Sequence, residues 1–260
     1  MHDNEEGAWI FVSHSLKDWN KVRNIRNILE EKGHKPLLFF LKCLNDDSEI
    51  DDLIKREIEA RNWFILCESE NTKKSKWVNA EIEFIKGLEG KVYEIIDLEK
   101  DIESQLNKIE RLSKRITIFL SYSSSDRQIA QEFKRLFKDN DYRVLDYTQM
   151  QAESNFESNI TDAIDDALKE GFFLFLISKS SLESNYVMDE IEYAFEKSFS
   201  SKKGANIIPI SLMDINELMT KMSPLHLFRI SKSHIYDFSK GDIDKNILGL
   251  IERLKTKEME

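Results

Sequence analysis

The chain has 260 residues, of which 41% are hydrophobic and 33% charged, so it has enough apolar material for a folded core and is not a disordered polymer. Its net charge of −10 and isoelectric point of about 5.2 repel a phosphate backbone, and we expect no nucleic-acid partner. No apolar run approaches the roughly 18 to 20 residues of a membrane span, and two cysteines are too few for a disulfide framework. Together these observations predict a cytoplasmic protein without membrane contact.

The first half of the chain alternates short apolar runs with amphipathic stretches. Helices are predicted over residues 19–31 and 50–60, where apolar residues recur at helical spacing, and Gly33 ends the first of them. Apolar residues at helical spacing between Leu98 and Leu112 predict a further helix, after which we place a domain boundary near Lys114. The predicted strands of this half are residues 9–12, 36–41, 63–67 and 92–96.

The second half repeats this alternation. Its predicted strands are residues 116–120, 142–146, 172–177 and 207–210, and its predicted helices are residues 127–138, 156–169 and 186–195. Apolar strands separated by helices indicate a parallel sheet that is covered on both faces, and such sheets bind ligands at their carboxyl edge. We therefore predict an α/β chain with two domains, residues 1–114 and 115–260, each built on about five parallel strands.

Three blocks of sequence recur in the same order in the two halves. Each recurs at an offset of 108 or 109 residues, which is difficult to produce by chance and indicates an internal duplication. The matching pairs are 10–18 with 118–126, 63–67 with 172–176, and 75–81 with 184–190.

An aromatic residue and a glutamate stand four positions apart in each half, Trp77 with Glu81 and Tyr186 with Glu190. In a helix the members of each pair share one face, and each pair follows the loop after a buried strand, at the edge of the sheet that binds ligands. Without other information, such a glutamate is more often a solvated residue favoured by the helix dipole, and the ring a core anchor. The residues alone leave both interpretations open.

A family resemblance favours the functional interpretation. Ile-Phe-Val-Ser-His-Ser-Leu-Lys-Asp at 10–18 and Ser-Lys-Trp-Val-Asn-Ala-Glu at 75–81 resemble the first strand and loop, and the Ser-x-Trp-Val-x-x-Glu helix, of bacterial Toll/interleukin-1 receptor (TIR) domains. The second half repeats both motifs, and the resemblance covers nearly the whole chain. It implies two flavodoxin-like TIR domains in tandem, similar to the NAD-processing proteins of Thoeris-type antiphage systems.

The resemblance also implies an activity, that of an NAD+ nucleosidase whose product is ADP-ribose or a cyclic ADP-ribose signal for a separate effector. Glu81 and Glu190 would be the catalytic carboxylates. The substrate-binding residues would be Trp77 and Tyr186, which stack on a base, and Ser13, Asp18, Ser121 and Asp126, which line the nicotinamide ribose side of the cleft. The second half departs from the family pattern, because Tyr186 replaces tryptophan and the loop at 147–156 lacks the usual proline and glycine.

One carboxylate is enough for this chemistry, because nicotinamide leaves as a neutral base and needs no protonation. NAD+ is then the substrate, and we expect no cofactor. The chain has no Gly-x-Gly-x-x-Gly or Walker loop, and its histidines and cysteines lack metal-ligand spacing, so we expect no metal.

Three other functions stay open at this stage. The chain could be a non-catalytic adaptor that acts through TIR–TIR assembly, with both glutamates kept for helix-start electrostatics. In a mixed case, one half is catalytic and the other donates a loop, because TIR enzymes often assemble head to tail. Third, the chain could be a nucleoside deoxyribosyltransferase, an enzyme that has a related sheet and a glutamate. We expect TIR–TIR self-association.

Overall fold

The computed structural model describes residues 7–39, 47–88, 91–150, 156–169, 171–200, 206–222 and 234–257. The chain divides into two compact α/β units. The first unit comprises Met1–Ser113, Asn140–Tyr142 and Ile251–Glu260, and the second comprises Lys114–Asp139 and Arg143–Leu250. A domain boundary at residue 114 of the sequence remains our proposal.

The first unit has a parallel sheet with the strand order β2-β1-β3-β4. The strands are β1 (Trp9–Ser13), β2 (Lys35–Leu37), β3 (Trp63–Glu68) and β4 (Val92–Asp97). The helices are α1 (Trp19–Glu31), α2 (Asp47–Ala60), α3 (Glu70–Lys74), α4 (Lys76–Gly87) and α5 (Ile102–Ile116), which begins in this unit. β2 and β3 lie on opposite sides of β1, so the chain leaves β1 toward one side of the sheet and returns on the other. The loops that follow β1 and β3 therefore share one edge of the sheet.

This sheet has four strands among the described residues, one fewer than the predicted number of about five. After β4 the chain enters α5, and the Lys108 ammonium on that helix donates to the Ile95 carbonyl of β4. A side chain thus satisfies a backbone acceptor on a strand that has no further strand beside it among the described residues. The predicted strand at residues 36–41 is observed as Lys35–Leu37, and residues 40 and 41, like Cys43, lie outside the described ranges.

The second unit has a parallel sheet with the order β6-β5-β7-β8-β9. Its strands are β5 (Thr117–Ser121), β6 (Arg143–Leu145), β7 (Phe172–Ile177), β8 (Ile207–Ser211) and β9 (Tyr236–Asp237). The helices that belong to it or begin in it are α6 (Arg127–Asp139), α7 (Tyr147–Met150), α8 (Phe156–Lys169), α9 (Lys179–Leu182), α10 (Asn185–Ser200), α11 (Ile215–Lys221) and α12 (Ile243–Lys257). Five strands were expected, and this unit has them.

Each sheet is covered on both faces, as the continuous apolar strands predict. All six residues of β7 are buried, and so are the first five of β3. Phe119 and Phe173 stack at 5.7 Å in the core of the second unit, while Phe11 and Phe64 lie 5.9 Å apart in that of the first. The flavodoxin-like α/β architecture is therefore confirmed. Within the described ranges, no helix is both long enough and apolar enough to cross a membrane.

Candidate active site

A serine and a glutamate meet at the carboxyl edge of the first sheet. Ser13 is the last residue of β1, and Glu81 lies in α4, whose first turn is capped by Ser75. Ser13 Oγ donates a hydrogen bond to Glu81 Oε2 at 2.6 Å. The fold thereby joins two predicted site residues that are 68 positions apart in the chain.

The second unit repeats this contact with the equivalent residues. Ser121 ends β5, Glu190 lies in α10, and Ser121 Oγ donates to Glu190 Oε2 at 2.5 Å. Both side chains are buried. The duplication seen in the sequence therefore extends to one specific hydrogen bond in each unit.

Burial changes the acidity of both glutamates. It raises the pKa of Glu81 and of Glu190 to about 7, even though the serine hydroxyl in each unit acts in the opposite direction by binding the ionised form. At neutral pH each carboxyl is therefore a mixture of its ionised and protonated forms. Carboxyls with raised pKa values near a ligand-binding edge are typical of functional sites.

The surroundings of Glu190 include further polar groups. The charge of Asp146 also raises the pKa of Glu190, whereas the Tyr186 hydroxyl lowers it. Glu190 Oε1 is buried without a hydrogen-bond partner among the described residues. A buried carboxyl oxygen without a donor is costly, on the order of 1 to 3 kcal/mol.

The aromatic partner of each glutamate lies at the surface. Trp77 is 44% exposed and Tyr186 is 38% exposed, so neither ring is a core anchor. Within the described ranges no aromatic ring packs against Trp77, whereas the Tyr186 ring contacts that of Tyr147, with centroids 6.0 Å apart. The two units thus present their rings differently.

The two aspartates predicted for the ribose side each bind another serine. Asp18 accepts hydrogen bonds from Ser69 Oγ at 2.5 Å and from Asn71 Nδ2 at 2.7 Å. Asp126 accepts one from Ser178 Oγ at 2.6 Å. These bonds tie the loop after the first strand of each unit to the loop after its central strand. A role for either aspartate in ribose binding stays a prediction.

Sequence reasoning missed the serine partners of these aspartates. Ser69 follows β3 and Ser178 follows β7, and each caps the short helix after it in a capping box with the residue three positions later. The signal was present as Ser-x-x-Thr at residues 69–72 and Ser-x-x-Ser at residues 178–181, directly after apolar strands.

Asp146 is a second residue that the sequence did not single out. It is fully buried after β6, where it accepts a hydrogen bond from Tyr122 at 2.7 Å and pairs with the Lys134 ammonium. Thr148 donates to it from both its backbone N–H at 3.0 Å and its hydroxyl at 2.6 Å. Burial alone would raise the pKa of Asp146, but these donors outweigh it and hold the pKa below its usual range. By strand register, the equivalent residue of the first unit is Leu38.

A metal centre finds no support in the part of the chain that the structure describes. There, no group of three or more histidine, cysteine, aspartate or glutamate side chains is arranged to hold a metal ion. Cys67 is a buried free thiol whose pKa burial raises well above its ordinary value.

Comparison with known proteins identifies one family. A family model described as the TIR domain matches residues 10–112 and 118–251. No curated protein matches the chain. Among solved structures, the crystal structure of PH0766 from Pyrococcus horikoshii OT3 aligns with 97% of this chain and 65% of its own, at 10% sequence identity and a TM-score of 0.31. This chain spans less than two thirds of that protein, and so distant a likeness says nothing about activity.

Proposed function

The chain belongs to the TIR domain family, and from that premise we propose that it is an NAD+ nucleosidase that cleaves the bond between nicotinamide and ribose. One observation carries the proposal: at the carboxyl edge of each sheet, a serine-bound glutamate with a pKa of about 7 lies one helical turn from an exposed aromatic ring. NAD+ is the substrate in this proposal, and no cofactor takes part.

The glutamate stabilises the charge that develops when the bond breaks. The electron pair of the broken bond moves to the pyridinium nitrogen, so nicotinamide leaves as a neutral base while positive charge develops on the ribose. A partly buried carboxylate interacts with that charge more strongly than one in water would. Attack by water then gives ADP-ribose and a proton, and attack by the adenine or ribose of the same molecule gives a cyclic product.

The neighbouring residues position the reacting groups. The Ser13 hydroxyl binds Oε2 of Glu81 and so fixes the orientation of the carboxyl, which leaves Oε1 for the ribose. The exposed ring of Trp77 offers a face on which a base can stack. Ser121, Glu190 and Tyr186 hold the equivalent positions in the second unit.

Family membership also supports self-association, and the product's role is the wider part of the proposal. TIR–TIR self-association would bring copies of the chain together. A cyclic ADP-ribose product would act as a signal to a separate effector in antiphage defence.

Nicotinamide release tests the proposal directly. The purified full chain is incubated with NAD+ over a range of protein concentrations, and the products are identified by mass spectrometry. We expect Glu81→Gln and Glu190→Gln together to abolish nicotinamide release. The matched controls Glu83→Gln and Glu196→Gln, which remove exposed glutamates from the same two helices, should leave it unchanged.

Two results would contradict the proposal. One is a wild-type chain that releases no nicotinamide even at concentrations where it self-associates, which favours the adaptor function. The other is a double variant that retains the wild-type rate. Base exchange on added deoxynucleosides would instead indicate a deoxyribosyltransferase.

A further inference from the structure

The carboxylates of the two units differ in their access to solvent. Glu190 is only 5% exposed, and its Oε1 is closed off from solvent. Glu81 keeps partial exposure. A ribose carbon must come close to a carboxyl oxygen for the charge on it to be stabilised. In the described arrangement, Glu190 is therefore the less accessible of the two carboxyls.

Tyr147 packs against the aromatic partner of Glu190. Its ring lies against Tyr186 with centroids 6.0 Å apart and planes at 68°, and against Tyr122 with centroids 5.4 Å apart. Tyr186 precedes Glu190 by one turn of α10, and Tyr122 directly follows Ser121. Burial and the charge of Asp146 raise the pKa of Tyr147, and the charge of Glu190 adds to this effect. The Tyr147 ring therefore lies between those of Tyr122 and Tyr186, two residues that neighbour Ser121 and Glu190 in their own elements.

The residues on both sides of Tyr147 are anchored. Asp146 is held by Tyr122 and Lys134, and the backbone and hydroxyl of Thr148 both bind Asp146. This network anchors the chain on both sides of Tyr147.

The first unit lacks this arrangement. Strand register places Leu38 and Phe39 at the positions of Asp146 and Tyr147. The Phe39 ring packs on Phe11 at 5.7 Å, in the apolar core, and no ring of the described residues covers Trp77.

We propose that Tyr147 determines which of the two carboxylates reacts, because its ring covers Tyr186 and Glu190 and excludes a dinucleotide from the second unit until it moves away. Catalysis in the resting chain then belongs to Glu81. The consequence for NAD+ rests on the proposed function, whereas the covering of Glu190 does not.

The first test measures the covering itself. A water-soluble carbodiimide with an added amine modifies carboxyls that solvent reaches, and the rate at which Glu190 is modified is followed by peptide mass spectrometry. Tyr147→Ala should expose the carboxyl and speed its modification several-fold, while Tyr147→Phe, which keeps the ring, should leave the rate near the wild-type value. Tyr193→Ala is the matched control, since it removes a partly buried tyrosine from the same helix as Glu190. An unchanged rate of Glu190 modification in Tyr147→Ala would overturn the proposal.

The second test measures the reaction in a Glu81→Gln background, where only the second unit is left to react. Minor open states are commonly populated at about 0.1 to 10%, so removing the cover should raise kcat/KM for NAD+ by roughly tenfold or more. We expect this rise for Tyr147→Ala and not for Tyr147→Phe. If the wild-type chain is active and Tyr147→Ala gives no rise, Tyr147 does not control the reaction and the proposal is wrong. If Glu190 becomes exposed but no variant or wild-type chain cleaves NAD+, the covering holds and the proposed function fails.

Discussion

Replacing Glu190 with glutamine should stabilise the second unit, and more strongly as the pH rises. The folded state raises the pKa of this carboxyl from 4.5 to about 7, because burial disfavours its ionised form. Below pH 4 the carboxyl is protonated in both the folded and the unfolded chain and contributes nothing to the free energy of unfolding. Above pH 7 it must ionise in the folded state as well, so folding then carries the full cost of a buried charge.

The magnitude follows from the two pKa values. Each pKa unit is worth about 1.4 kcal/mol, so the cost is on the order of 1 kcal/mol at pH 5 and on the order of 3 kcal/mol at pH 8. Glutamine is neutral at every pH, matches the shape of the side chain, and can still accept the Ser121 hydrogen bond. Glu190→Gln should therefore recover most of this free energy at pH 8 and little of it at pH 5.

Urea unfolding at the two pH values provides the assay. All four tryptophans lie between residues 9 and 77, so tryptophan fluorescence follows the first unit while circular dichroism follows the whole chain. The control Glu196→Gln removes an exposed charge from the same helix and should change the free energy of unfolding by no more than about 0.5 kcal/mol at either pH. The reasoning is refuted if Glu190→Gln has the same effect at pH 5 and pH 8, or if it destabilises the chain at pH 8.

Three further predictions follow from the site. In a Glu190→Gln background, NAD+ cleavage should rise as the pH increases through about 7, because the ionised form of Glu81 is the active one, and a flat rate between pH 6 and pH 8 would contradict this. Ser13→Ala in that background removes a donor to the ionised form, so the midpoint of the profile should move upward by about one pH unit, and Ser13→Thr should restore it. Trp77→Ala should raise KM for NAD+ by about tenfold through lost stacking, with a smaller rise for Trp77→Phe. Neither variant should change the thermal midpoint much, since the ring is 44% exposed. An unchanged KM would exclude Trp77 from binding.

Much of the candidate site could be predicted from the sequence because its motifs occur in both halves of the chain. The recurrence of Ser13 as Ser121 and of Glu81 as Glu190 marked both pairs, and the sheet topology predicts that the ends of β1 and β3 share an edge with the helix that follows. The Asp146 network was missed for the same reason, since it occurs in one unit and is replaced by Leu38 in the other. A comparison between the two halves finds what they share and passes over what distinguishes them.

The sequence by itself determined the α/β class, the alternation of elements and the recurrence of the same serine and glutamate in both halves, because these depend on hydrophobic periodicity and on a repeat that local patterns record. Only the tertiary structure decided how buried each carboxyl is, which raises its pKa. It also decided that the Tyr147 ring packs against Tyr186, while no ring of the described residues packs against Trp77. Burial and ring contacts depend on which side chains from distant strands and helices meet at one edge of a sheet. The spacing of residues along a single strand or helix does not contain that information.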